Sequence, residues 1–143
     1  MEENEKTYEN LIKKYNHLFT RGEMQPFAMF GFECGDGWYD ILELLIGQID
    51  HYFTHKYKGV PEGFAIVQVK EKFGGLRFYV DGGDDVVYEL IRFAENLADR
   101  TCEYCGSNQN IMRSQGWIIT ACESCTKTRE FLITKKWVKV SKY

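Results

Sequence analysis

The chain has 143 residues and a formal net charge of −3, with 44% hydrophobic and 15% aromatic residues. That length suits one domain, or one domain with an appendage, and is enough for an ordinary hydrophobic core; no apolar run approaches the roughly 18 to 20 residues of a membrane span. The acidic start Met1-Glu2-Glu3-Asn4-Glu5 is unlike a basic targeting segment, and two prolines with no repeat leave little room for disorder, so a cytoplasmic protein is expected.

Taken in order, residues 4 to 19 place Tyr8, Leu11, Ile12, Tyr15, Leu18 and Phe19 on one stripe, which predicts a core-facing helix. Arg21 to Gly37 follows as a loop dense in glycine and aromatics, too apolar to stand free in solvent. From about 37 to 54, Ile41, Leu44, Leu45, Ile49, Tyr52 and Phe53 recur with a period near 3.6, predicting the best-buried helix, with Asp36 or Asp40 as its cap. His51 and His55 stand one turn apart, a spacing at which imidazoles can share a metal. Tyr52 occupies the position where a metalloprotease helix carries its glutamate, so surface histidines near a helix end are expected.

Phe64 to Phe73 and Leu76 to Val80 read as two strands joined by the turn Gly74-Gly75. That turn sets Phe73 across from Leu76, Glu71 from Phe78 and Val69 from Val80 on one side, with Lys72 across from Arg77 and Lys70 from Tyr79 on the other. Two local rules are then broken. Glu71 sits among apolar side chains, where an unpaired charge is costly, and Lys72 faces a like charge. Solvation at a projecting tip relieves both. The functional alternative has Lys70, Lys72 and Arg77 grip an anionic partner or the acidic loop around Glu33 and Asp36. In Asp81-Gly82-Gly83-Asp84-Asp85 the spacing is not that of a calcium loop, and Asp84 and Asp85 suit the start of a helix running to about Arg100, with Val87, Leu90, Ile91, Ala94, Leu97 and Ala98 inward.

Cys102 and Cys105 form one Cys-x-x-Cys pair, and Cys122 and Cys125 a second, with sixteen residues between the pairs. Four thiolates so spaced close tetrahedrally on one zinc ion and leave no open position, which predicts one structural Zn²⁺ per chain. The knuckle, a hairpin around Ser114-Gln115-Gly116 and a helix from Thr126 to about Lys136 follow the order of a treble-clef site, and the spacing resembles GATA-type fingers. Residues 1–100 hold 11 basic and 18 acidic side chains, whereas residues 101–143 hold 7 and 3. The basic end carries Arg113, Lys127, Arg129, Lys135, Lys136, Lys139 and Lys142, a density that suits either phosphate or the acidic half of the same chain. Cys34, beside Glu33 and far in sequence from any histidine, is expected to be a packed small hydrophobe.

Glu33-Cys34-Gly35-Asp36-Gly37-Trp38, Gln68 through Tyr79, Cys102 through Gly106 and Gly116-Trp117 resemble a family of small, largely uncharacterised proteins of tailed phages and prophages, over residues of about 28 to 125. The resemblance implies an accessory protein acting in a bacterial cytoplasm on host enzymes, nucleic acid or defence signals. The sequence carries no phosphate-cradling glycine loop, no nucleophile elbow and no deaminase signature, which disfavours a conventional enzyme.

The expected fold is α+β. A body over 1–100 packs helices on a β-hairpin, and a treble-clef-like zinc module over 101–143 continues from it without a linker. The expected function is non-catalytic binding of a host protein or nucleotide-like anion at Glu33, Asp36, Trp38, Lys70, Lys72, Arg77 and Tyr79. Two alternatives are a nucleic-acid binder using the basic helix after Cys125, and a metal-dependent nuclease or hydrolase using Glu33, Asp36, Glu71 and Asp81.

Overall fold

The computed structural model describes residues 5–20, 27 and 31–140. Most of the expected aromatic loop, residue 4 of the first helix and Lys142 lie outside the described residues. The first stripe forms two helices, α1 (Tyr8–Lys14) and α2 (Asn16–Phe19), because Tyr15 leaves helical geometry at φ −114° and ψ 32°. Thr7 caps α1 by accepting from the Asn10 amide at 3.1 Å, and Leu11, Leu18 and Phe19 are buried.

A two-residue strand, β1 (Phe32–Glu33), runs parallel to β2 (Ala65–Lys72), which pairs antiparallel with β3 (Gly75–Asp81). The sheet order is β1-β2-β3. The hairpin turn is Phe73-Gly74 rather than Gly74-Gly75: both central residues have positive φ, 54° and 78°, as a type I′ turn requires. Val69 therefore pairs with Phe78, Glu71 with Leu76, and Lys70, not Lys72, with Arg77. Docking selects this register. The tip lies on the cysteine-bearing segment, where a Cβ on Gly74 would come within 3.0 Å of Ile118 and Thr120, and the Thr120 hydroxyl donates to the Gly74 carbonyl at 2.7 Å. Phe73, left-handed and 68% exposed, leaves the apolar face it was assigned to. The Glu71 carboxylate meets its local requirement within the hairpin by accepting from the Gly74 amide at 2.8 Å.

A 3-10 turn (Asp36–Trp38) leads into α3 (Tyr39–Tyr57), whose start has no side-chain cap from Asp36 or Asp40. The buried face of α3 is Leu42, Leu45, Ile46, Ile49 and Phe53, whereas Leu44 is 61% exposed. Apolar residues at 41, 42, 44, 45, 46 and 49 fit two helical phases, and packing selects one. Helix α4 (Asp85–Ala98) begins as expected, with Asp84 accepting from the Val87 amide at 3.1 Å. Its Glu95 carboxylate accepts the Phe78 amide at 3.0 Å and so blunts the open edge of β3. The helices and the inner sheet face, Val69, Leu76 and Phe78, share one core.

The C-terminal segment folds as β4 (Ile111–Ser114), β5 (Thr120–Cys122), α5 (Glu123–Thr128), α6 (Glu130–Ile133) and β6 (Trp137–Lys139), with sheet order β5-β4-β6. The expected single helix from Thr126 to about Lys136 is broken at Arg129, which is extended at φ −89° and ψ 120°, and β6 was not foreseen. Trp117, just after the expected turn Ser114-Gln115-Gly116, sits 76% exposed in the β4–β5 loop, which Ser114 holds by donating to the Trp117 carbonyl at 2.6 Å and accepting from the Ile119 amide at 2.7 Å. Among the described residues no helix is long and apolar enough to cross a membrane.

Candidate metal centre

The Cys102–Cys105 knuckle turns because Gly106 takes φ 82° and donates to the Cys102 carbonyl at 3.0 Å. Cys122 ends β5 beside Ile111, and Cys125 sits in the first turn of α5, where its amide donates to the Cys122 sulfur at 3.4 Å. The four sulfurs all lie within 4.8 Å of one another, and Cys105 and Cys122 approach to 3.6 Å. A zinc–sulfur bond of about 2.3 Å gives tetrahedral S···S edges of about 3.8 Å, so the donor set fits one tetrahedral ion.

The surroundings pull the thiols in opposite directions. Burial disfavours the Cys102 thiolate, but the amides of Cys122, Cys105 and Tyr104 outweigh it and the pKa is lowered. Burial pushes Cys122 up to about 12 and also raises Cys125, so a metal has to displace those protons to bind. The Arg129 guanidinium reaches Cys125 at 3.4 Å from Nε to sulfur while lying over the Tyr104 ring at 5.3 Å. It sets positive charge beside a site whose four thiolates carry more negative charge than a divalent ion cancels.

Among the described residues, Cys102, Ile111, Ile119, Ala121, Cys122, Cys125 and Leu132 form the buried apolar cluster around this centre. A segment of about 40 residues with so small a core needs a metal, disulfides or a neighbour to hold its fold. Here it has a neighbour as well. The Gly35 amide donates to the Glu103 carboxylate at 2.9 Å, the Gly37 amide to the Glu103 carbonyl at 2.7 Å, and the Trp38 indole to the Thr101 carbonyl at 3.0 Å. A Cβ on Gly35 would sit 2.5 Å from the Glu103 carbonyl oxygen, and one on Gly37 would come closer still to that of Cys102. These glycines are required by backbone approach. The stretch from Gly35 to Trp38 is thus the body's docking edge for the knuckle. Its role was missed in the sequence, although two glycines flanking one residue before a tryptophan are the signal such a close approach leaves.

Glu103 is 7% exposed, and burial raises its carboxyl pKa above the ordinary 4.5. The folded state therefore holds the Glu103 proton to higher pH than the unfolded chain does. Its contribution to stability is fully present below 4.5 and lost as pH rises through the raised value. Glu103→Gln, which keeps an oxygen for the Gly35 amide, is expected to remove that decline. Melting temperatures of both proteins between pH 4 and 8 check it.

The remaining site candidates divide. Trp38 is fully buried and offers no face to a ligand; its indole is spent on the knuckle. Asp36 is exposed at the start of the 3-10 turn. Glu33, Lys70 and Arg77 stand in one row across β1, β2 and β3, with Tyr79 one row away opposite Gln68, and Gln68 Nε2 donates to Glu33 Oε1 at 3.4 Å. Lys72 lies at the end of the same face opposite Gly75. Among the described residues, the four cysteines are the one set of three or more His, Cys, Asp or Glu groups placed to share an ion, so Glu33, Asp36, Glu71 and Asp81 are not assembled around a cation. His51 and His55 are exposed with ring centroids 4.1 Å apart. Of the basic tail, Lys127 pairs with Glu123 at 3.0 Å, Arg113 approaches Asp99 at 4.0 Å and Arg129 faces the cysteines. Cys34 packs against the main core, and burial pushes its thiol up to about 12, with the Tyr8 hydroxyl 3.6 Å away.

No family model, no curated protein and no solved structure matches this chain.

Proposed function

We propose that this is a non-catalytic binding protein stabilised by one structural zinc ion in a treble-clef-like module, and that the outer face of the β1-β2-β3 sheet captures an anionic partner. The partner is a nucleotide-like anion or an acidic surface of a host protein, as the resemblance to phage accessory proteins of the bacterial cytoplasm implies. The zinc reading rests on an all-sulfur donor set of tetrahedral dimensions. The binding reading rests on one observation. Lys70 and Arg77 are direct cross-strand partners, and among the described residues neither they nor Lys72 has a carboxylate within ion-pair distance. Like charges facing each other destabilise a sheet, and a bound anion reverses the sign of that interaction. Tyr79, 40% exposed, supplies a flat ring on the same face.

The test is binding of a nucleoside triphosphate and of host-lysate proteins to the native chain and to Lys70→Gln/Arg77→Gln. A charge-assisted hydrogen bond contributes about 1.5–3 kcal/mol. The double variant is therefore expected to lose at least about tenfold in affinity for whichever ligand binds, with its melting temperature kept. Equal binding by the two proteins, or none by either, overturns the proposal.

A further inference from the structure

The four sulfurs of the metal centre are not equivalent. Cys102, Cys122 and Cys125 are buried, whereas Cys105 is exposed. The buried three also accept from N–H groups. The amides of Cys122, Cys105 and Tyr104 reach Cys102, the Cys125 amide donates to the Cys122 sulfur at 3.4 Å, and Arg129 Nε donates to the Cys125 sulfur at 3.4 Å. The Arg129 guanidinium is held there by the Tyr104 ring, 5.3 Å from its centroid, and that ring in turn meets Phe131 edge-on at 5.3 Å. Each such contact draws charge off a sulfur and blocks the approach to it, so attack from solvent is steered toward the sulfur that stands open.

We infer that Cys105 is a modification site, the sulfur that soft electrophiles and peroxides take first, with Cys122 placed to resolve its oxidised form. The inference rests on the reading of the four cysteines as one zinc centre. With hydrogen peroxide as the oxidant, the Cys105 thiolate attacks one oxygen, an S–O bond forms as the O–O bond breaks, and hydroxide leaves. The Cys122 sulfur lies 3.6 Å from that of Cys105. Its thiolate attacks the sulfenic sulfur, an S–S bond forms, the S–O bond breaks and a second hydroxide leaves, so the two thiolates give up the electron pair that the peroxide gains. Half of the donor set is then lost to a metal. The effect reaches the body, because Gly106, next to Cys105, sits against Gly37: a Cβ on Gly106 would stand 3.1 Å from the Gly37 carbonyl oxygen. The Gly35 and Gly37 amides donate to Glu103 in the same turn. The turn that carries the open sulfur is the turn the body grips.

The test takes full-length protein whose zinc content has been measured and adds less than one equivalent of N-ethylmaleimide. The protein is then unfolded in acid and digested, and mass spectrometry locates the adduct. Cys34, half-buried and packed on the main core, is the internal comparison. Cys105 is expected to carry the adduct at least about tenfold more often than any other cysteine. Zinc is expected to pass to a colorimetric chelator in step with the adduct, and the Gly35 and Gly37 amides to exchange faster with solvent. After peroxide, digestion is expected to recover Cys105 joined to Cys122. In protein that carries zinc, adducts spread evenly over the cysteines, adducts first at a buried sulfur or at Cys34, or a peroxide disulfide other than Cys105 with Cys122 overturns the inference and leaves the zinc reading standing. Protein that carries no zinc overturns both.

Discussion

Gly37→Ala is expected to be among the most destabilising single-methyl changes in the chain. Its new Cβ has nowhere to go, because what it meets is the backbone of Cys102 and Glu103 and not a side chain that can rotate away. The seam has to open. Overpacking costs about 1–3 kcal/mol, and a lost hydrogen bond that leaves the Gly37 amide and Glu103 carbonyl unsatisfied adds about 1–3 kcal/mol. Against a net stability of about 5–15 kcal/mol for a domain, a loss of about 2–6 kcal/mol leaves the protein marginal. Gly47→Ala is the control. It also adds a methyl, but on a helix and 3.1 Å from the movable Tyr15 hydroxyl, so a change within about 1 kcal/mol is expected. Urea denaturation of both variants checks the contrast, and buried Trp38 reports by fluorescence whether the knuckle has detached.

The second large effect is expected from removing the metal. Binding free energies of about 10–16 kcal/mol for structural zinc match or exceed a domain's net stability, so Cys102→Ser or Cys122→Ser is expected to abolish the fold of residues 101–143. The consequence extends into the body. Gly35, Gly37 and Trp38 donate to Glu103 and Thr101, and the hairpin tip accepts from Thr120. Each of these groups loses its partner when the knuckle unfolds, and the polar ones then lie at a broken interface. Circular dichroism of the serine variants is expected to show loss of helix beyond the two short helices α5 and α6.

The cysteine spacing made the metal centre legible, because the pattern depends only on short-range chelation by each pair. The α4 start was equally plain, since a capping aspartate acts on the amide three residues away. What could not be read were choices made between distant segments. The turn at Phe73-Gly74 differs from the expected one by a single position, and it is decided by Ile118 and Thr120 over forty residues on. Trp38 was assigned to a ligand face because tryptophan suits one, yet its indole is satisfied by Thr101 across the seam. The break at Arg129 had the same origin: that residue leaves the helix where its guanidinium meets both the Tyr104 ring and the Cys125 sulfur. Strand β6 pairs with the second edge of β4, which no local pattern discloses.

This also bears on the motifs by which the sequence resembles a phage family. Gly35, Gly37 and Trp38, with Gly74 at the hairpin tip, are occupied with holding the knuckle to the body, so these residue types are explained by packing before any ligand is invoked. The outward Lys70, Lys72, Arg77 and Tyr79, and the outward Leu44, Phe93 and Leu97, are not explained that way.

The central claim is that four sulfurs on one ion hold the tail, and through the seam the body, in shape. Elemental analysis of the purified protein, with thermal melting before and after dialysis against a strong chelator, tests it most directly. One zinc per chain and a single transition that moves to much lower temperature on chelation are expected. Protein without stoichiometric metal, or a melting curve the chelator leaves in place, would contradict it.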